Sequence, residues 1–447
     1  MRAMERKRQS MPILLFLMCC PYTTQERSRI DMKEKFLALT LAAALAASLT
    51  GCMLQADAQD LMEDIKPNAV TPLSAEDLSA GGATLTDFAV RLLQASEEKD
   101  KNTLVSPLSV LYALSMTANG AKGETLHQME QTLGSDTKTL NEYLYSYRNA
   151  LPHGKNYKLH LANSIWFTKD ERFTVNQQFL QTNGDYYGAD IYRASFDDKT
   201  CKEINGWVKK HTDGMIPEIL DEIPEAAVMY LVNALAFEAE WDAIYKEDQI
   251  YSDQFTLADG TTRNVKMMSS TVPKYLEDEN ATGFIKYYAG GEYAFAALLP
   301  DENVSLSDYV AALDGAALHD LLRNAEDISV LTRIPKFETE YSTDLAVVLA
   351  KMGMPLAFDA EQADFSGLGS SSTGNIYISR VLHKTFISVA EKGTKAGAAT
   401  VVETITSGIP LLDGKKQVYL DRPFVYMLID CNTMSPFFIG TMYDVQQ

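Results

Sequence analysis

Cysteine is scarce and poorly placed for a covalent framework. Of five in 447 residues, Cys19, Cys20 and Cys52 fall in the first 52 positions, and only Cys201 and Cys431 lie in the body. Those two are far apart, which excludes a disulfide scaffold and any zinc-type ligand spacing. Positive charge is also short: 40 Lys and Arg face 60 Asp and Glu, a formal net charge of −20. With no basic block and no aromatic–basic interleaving, binding to nucleic acid or to anionic headgroups is disfavoured. The acidity itself reads as plain solubility. The six histidines (127, 153, 160, 211, 319 and 383) stand isolated from one another. There is no His-Glu-x-x-His, no Gly-x-Ser-x-Gly and no phosphate-cradling loop. The glycine-rich stretch Ser366–Gly374 lacks a Lys-Ser/Thr ending and reads as a surface loop. No catalytic residue, metal site or cofactor is therefore expected, although an enzyme with an unfamiliar site stays open on these absences alone.

What is present begins with an address. From Met32 the chain runs Lys33-Glu34-Lys35, an apolar stretch Phe36–Thr50, then Gly51-Cys52. A short basic region, an apolar run too short to span a bilayer and small residues at its end make a signal peptide over 32–52. The ending Leu49-Thr50-Gly51-Cys52 resembles a bacterial lipobox, which implies lipidation of Cys52 and a protein tethered at a membrane surface by its terminus alone. Residues 1–31 imitate a second, weak signal, and the simpler account makes Met32 the true start and 1–31 a gene-model extension. An ordinary secretory signal with an incidental Cys52 is the alternative. Residues 53–82 turn polar and acidic, with Asp57, Asp60, Glu63, Asp64, Glu76, Asp77, Pro67 and Pro72. Such composition is expected to give a flexible acidic tether.

From about residue 83 the pattern is that of a folded body. Leu85, Phe88, Ala89, Leu92 and Leu93 share one face of an amphipathic helix. Asn102–Val105 reads as a short strand entering a helix, with Ser106 as N-cap and Pro107 in the first turn, stopping near Asn119-Gly120. Strands are expected at 159–167, 230–237, 293–299, 328–337, 385–390, 424–429 and 437–443. Several are apolar throughout, as strands covered on both faces should be. Helices sit mainly before residue 220, with others near 305–324 and 342–352. No repeat or internal linker appears, so 83–447 is expected to be one large α+β domain.

One stretch resists an ordinary reading. Residues 391–412 are too apolar and β-prone for a solvated loop, yet too rich in small residues for a packed strand. Counting alternate residues from Thr394 gives Thr394, Ala396, Ala398, Thr400, Val402 and Thr404, all small or uncharged, while Lys395 and Glu403 fall on the other parity. Such a segment could bury one face as a strand and leave the other wet. Gly393 supplies a backbone hinge before it. An edge strand would show the same polarity.

Glu391-Lys-Gly-Thr-Lys-Ala-Gly-Ala-Ala-Thr400 resembles the reactive-loop hinge of inhibitory serpins, and Val418–Leu428 is similar to that family's C-terminal signature. Asn102–Ser109, Gly120–Thr125, Asn205–Val208, Thr212–Ile216, Leu231–Phe237 with Trp241, Ala363–Gly367 and His383-Lys384 extend the resemblance over essentially all of 83–447. It implies several β-sheets with surrounding helices and an exposed reactive loop, 391–412. It further implies a monomeric suicide inhibitor, which the signal peptide would place outside the cytoplasm, at the cell surface or secreted. Its partner is a serine protease, held as a covalent acyl-enzyme when the cut loop inserts into the main sheet; loop insertion is a known serpin behaviour. The family's spacing puts the reactive bond between Ser407 and Gly408. The segment beyond is a few residues longer than usual, so Thr406 and Thr404 are alternatives. All are small, which points to elastase- or subtilisin-like targets. The hinge would comprise Glu391, Gly393, Thr394, Ala396, Ala398 and Thr400, and a sheet-opening cluster would comprise Ser106, Ser109, Asn233, Trp241 and His383. The rival readings are a non-inhibitory serpin-fold binding protein, an inhibitor of cysteine proteases, and a lipoprotein peptidase or solute-binding protein.

Overall fold

The computed structural model describes residues 58–151, 154–169, 173–224, 227–372, 374–395 and 416–445. The expected signal peptide, Cys52, and the loop positions Ala396, Ala398, Thr400, Thr404, Thr406, Ser407 and Gly408 lie outside them.

The twelve residues from Met229 are apolar with almost no alternation, and they form a strand buried along nearly its whole length. This requires cover on both faces, and it has it: the strand sits in a seven-stranded main sheet. The sheet's strands in chain order are β1 (Gln59–Asp60), β2 (Tyr157–Thr168), β3 (Asp190–Ala194), β4 (Met229–Glu240), β5 (Phe337–Asp344), β6 (Arg380–Ala390) and β7 (Gly393–Lys395). Their spatial order is β1-β3-β2-β4-β7-β6-β5, with β4 and β6 also paired directly. Among the described residues, a six-stranded sheet built around Tyr293–Pro300, Phe424–Asp430 and Ser435–Met442, a four-stranded sheet of 250–256, 262–272, 330–335 and 416–419, and a two-stranded ribbon make up the other sheets.

Two helices matter for the site. Helix α1 (Ala75–Ser96) starts at the N-cap Ser74, which accepts from the Asp77 amide, with Glu76 and Asp77 complementing the helix dipole in the first turn. Helix α2 (Pro107–Ala118) has Pro107 in its first turn and Ser106 as N-cap, and every one of its residues is buried. A helix apolar on all sides belongs inside a large core. A third, α3 (Asp198–His211), packs through Ile204, Trp207 and Val208 into a separate apolar cluster with Trp166 of β2, Tyr230, Val232 and Ala234 of β4, and Leu382 of β6.

Three expectations are corrected. Residues 58–82 are not a loose tether. Strand β1 pairs antiparallel with β3, matching Gln59 to Arg193 and Asp60 to Tyr192. Leu61, Met62, Ile65 and Leu73 pack against the main core, the Asn68 amide donates to Asp185 at 2.7 Å, and from Ala75 the chain is already helix. The averaged polarity conceals four spaced apolar anchors, and the open edge of β3 offers backbone partners that composition cannot register. The strand expected over 328–337 is two strands in different sheets, Val330–Pro335 and β5, which meet at Lys336. The helix expected near 342–352 begins only at Ala346, since Ser342–Asp344 still belong to β5.

Candidate functional site

The site is a seam. Strands β4 and β6 run parallel and pair directly over Tyr230–Ala234 and Arg380–Lys384. Above that stretch they part, and the short strand β7 wedges between them, matching Gly393 to Glu240 and Thr394 to Ala239 on one side, and Thr394 to Val389 on the other. Thus Thr394, the first of the small alternate residues, is already inside the sheet with 1% of its surface exposed. Its hydroxyl is hydrogen-bonded to that of Tyr288.

Gly393 serves close approach. A Cβ on it would stand 1.9 Å from the Ala239 carbonyl oxygen, so any side chain would push β7 away from β4. Glu391, in the turn between β6 and β7, pairs with Lys336 Nζ at 2.7 Å. Burial works against its carboxylate, but the hydrogen bond and charge of Lys336 prevail and hold the pKa below the ordinary glutamate value.

Trp241 follows β4 and grips this turn. Its amide donates to the Lys392 carbonyl at 2.8 Å and its indole Nε1 to the Ala390 carbonyl at 2.8 Å. The ring lies flat on Tyr288, with centroids 4.4 Å apart and planes at 6°. Tyr245 adds an amide bond to the Glu391 carbonyl at 2.9 Å. The sequence groups Trp241 with the sheet-opening residues; in the fold it joins Gly393 and Thr394 at the head of the seam.

Lower down, Ser106, Ser109, Asn233 and His383 meet. The Ser106 amide donates to His383 Nε2 at 3.2 Å, which assigns the ring proton to Nδ1, 3.0 Å from Asn233 Oδ1. Ser109 Oγ donates to the same Asn233 oxygen at 2.6 Å, and Asn233 Nδ2 donates to Asn163 of β2 at 3.2 Å. One network therefore ties β2, β4, β6 and the start of α2 together at the point where β4 and β6 are paired, His383 opposite Asn233. Burial pushes the His383 pKa down to about 3, and the geometry agrees: a proton on Nε2 would face the Ser106 N–H.

Asn163, Tyr288 and Lys336 are not anticipated by the sequence. Each lies on a strand or strand end at least 55 residues from its partner in the network, and only the family resemblance could have pointed to them. Among the described residues no group of three or more His, Cys, Asp or Glu could hold a metal ion. Chemically, the arrangement can hold a strand end between two strands that are paired beyond it.

Comparison with known proteins converges. The family model described as Serpin (serine protease inhibitor) matches residues 83–445. The leukocyte elastase inhibitor of Equus caballus is 31% identical over 373 residues, 79% of this chain and 97% of its own; the Homo sapiens protein of that name is 30% identical over 374 residues, with the same coverage. Among solved structures, the thermophilic serpin tengpin in its native state superposes with a TM-score of 0.81 at 45% identity, covering 87% of this chain and all of its own. Thyroxine-binding globulin in complex with thyroxine gives 0.71 at 26% identity, over 82% of this chain and all of its own.

Proposed function

The chain belongs to the serpin family, and from that premise we propose that it is a suicide inhibitor of serine endopeptidases and not itself an enzyme. A target protease attacks the loop carbonyl, by this reading that of Ser407, and forms an ester between its serine and the cut chain. The leaving peptide begins at Gly408. Before water can hydrolyse the ester, the freed loop enters the seam behind Thr394 and carries the enzyme away from its productive geometry. Driving force comes from a native state that is a kinetic trap. The observation that carries this reading is the wedge of β7 between β4 and β6, with Thr394 buried at its tip and the same-parity residues beyond it all small. The likeness to leukocyte elastase inhibitors and the small candidate residues Thr404, Thr406 and Ser407 favour elastase- or subtilisin-like targets.

The test is to mix the whole chain with serine proteases of both classes, run denaturing gels and weigh the fragments. A covalent complex resistant to denaturant, plus a released peptide starting at Gly408, is expected. A peptide starting at Ile405 or Ser407 would move the reactive bond to Thr404 or Thr406. Clean cleavage by every protease without complex would instead make the chain a non-inhibitory member of its family, and complexes with cysteine proteases alone would change the target class.

We also propose that Cys52 carries a lipid anchor that holds the inhibitor outside the cytoplasm. The support is the lipobox-like run Leu49–Cys52 after an apolar segment.

A further inference from the structure

Lys286 lies on the strand Ala281–Tyr287 of the six-stranded sheet, and only 3% of it is exposed. An ammonium group out of water is costly unless its three donors are answered. Here Nζ donates to the Ala243 carbonyl at 3.1 Å, its one hydrogen-bond acceptor among the described residues. It also faces two aromatic rings, 4.5 Å from the centre of Tyr245 and 5.1 Å from that of Trp241. Burial pushes its pKa down to about 8, with Asp242 pulling the other way.

These contacts have one thing in common. Trp241, Ala243 and Tyr245 belong to a single turn, 241–245, whose two ends hold the hinge. The Trp241 amide bonds the Lys392 carbonyl and the Tyr245 amide bonds the Glu391 carbonyl. On its outer side the turn has little support, since Ile244 is 55% exposed. Its shape is therefore secured from within, where Lys286 touches the apex carbonyl and both flanking rings.

We propose that Lys286 is a positioning residue: it braces the turn 241–245 against the loop hinge and so sets how firmly Glu391–Thr394 is seated before the loop moves. The seating is a property of the intact protein; its bearing on inhibition rests on the trapping reading above. Methionine would fill the same space but could donate nothing to Ala243 and would carry no charge for the rings. Arginine keeps both functions.

Amide hydrogen exchange read by mass spectrometry on the whole chain, with no target protease added, tests this. In Lys286→Met, amides of 241–245 and 391–394 should exchange about tenfold faster. The melting temperature should hold or rise, because an apolar side chain replaces a buried charge. Lys286→Arg should restore protection to within about twofold of the parent. Parent-like protection in Lys286→Met overturns the proposal, and so does a loss spread evenly over the main sheet with a lowered melting temperature. If the hinge loosens as stated but no protease is ever trapped, Lys286 keeps its assignment and the trapping reading falls.

Discussion

Single side chains at the seam make sharp demands. His383 titrates near 6.5 in an unfolded chain and is held at about 3 in the fold, where only the neutral ring suits both Ser106 and Asn233. The fold thus disfavours the charged form, so the stability tied to this residue is fully present above pH 6.5 and is lost as pH falls toward 3. Its share of the slope is up to about 1.4 kcal/mol per pH unit. Urea melts between pH 7 and 5, where most carboxylates remain ionised, should show that slope in the parent and lack it in His383→Gln; identical slopes would contradict the assignment. At the hinge, Thr394→Arg would put an unpaired charge where 1% of the surface is exposed. We expect the fraction of protease held as covalent complex to fall at least about tenfold, with cleaved chain appearing in its place on the gel. A Thr394→Arg chain that still traps efficiently would refute the insertion route.

At the scale of elements, legibility follows the physics of burial. β4 is readable because a run with no polar alternation has few places to go, and α2 because Ser106-Pro107 marks a helix start unambiguously. The parity of the loop is legible in the residue order alone, since side chains alternate with a period of two. The strap at 58–74 is hidden: its anchors Leu61, Met62, Ile65 and Leu73 are diluted among charges, and their partners lie on β3, on the helix Gln177–Tyr187 and near Ser146. Tyr288 and Lys336 are hidden for the same reason, as contacts between distant segments leave no local period. A chain starting at Leu73 should melt several degrees lower, because it loses β1, Leu61 and Ile65, the last of which packs on Gly184. Sedimentation at rising concentration should also show association through the uncovered edge of β3. Unchanged melting and strictly monomeric sedimentation would mean that the strap is ornamental.

For the molecule as a whole, the proposed anchor and the proposed trap make separate predictions. Replacing Cys52 by serine should move the protein from the membrane fraction to the soluble fraction in cells that process lipoproteins, with inhibition unchanged; equal membrane partition of both forms would remove the anchor from the proposal. The proposed trap needs the main sheet to take in a further length of strand where β4 and β6 are paired below and β7 parts them above. Cutting the loop with a protease that is not trapped, and comparing the melting temperature of the nicked chain with that of the intact one, tests this most directly. Insertion of the freed loop as a full strand should raise melting by at least about 10 °C, since it adds two ladders of backbone hydrogen bonds and buries the small residues from Ala396 onward. A nicked chain that melts with or below the intact one would mean that the seam does not accept the loop.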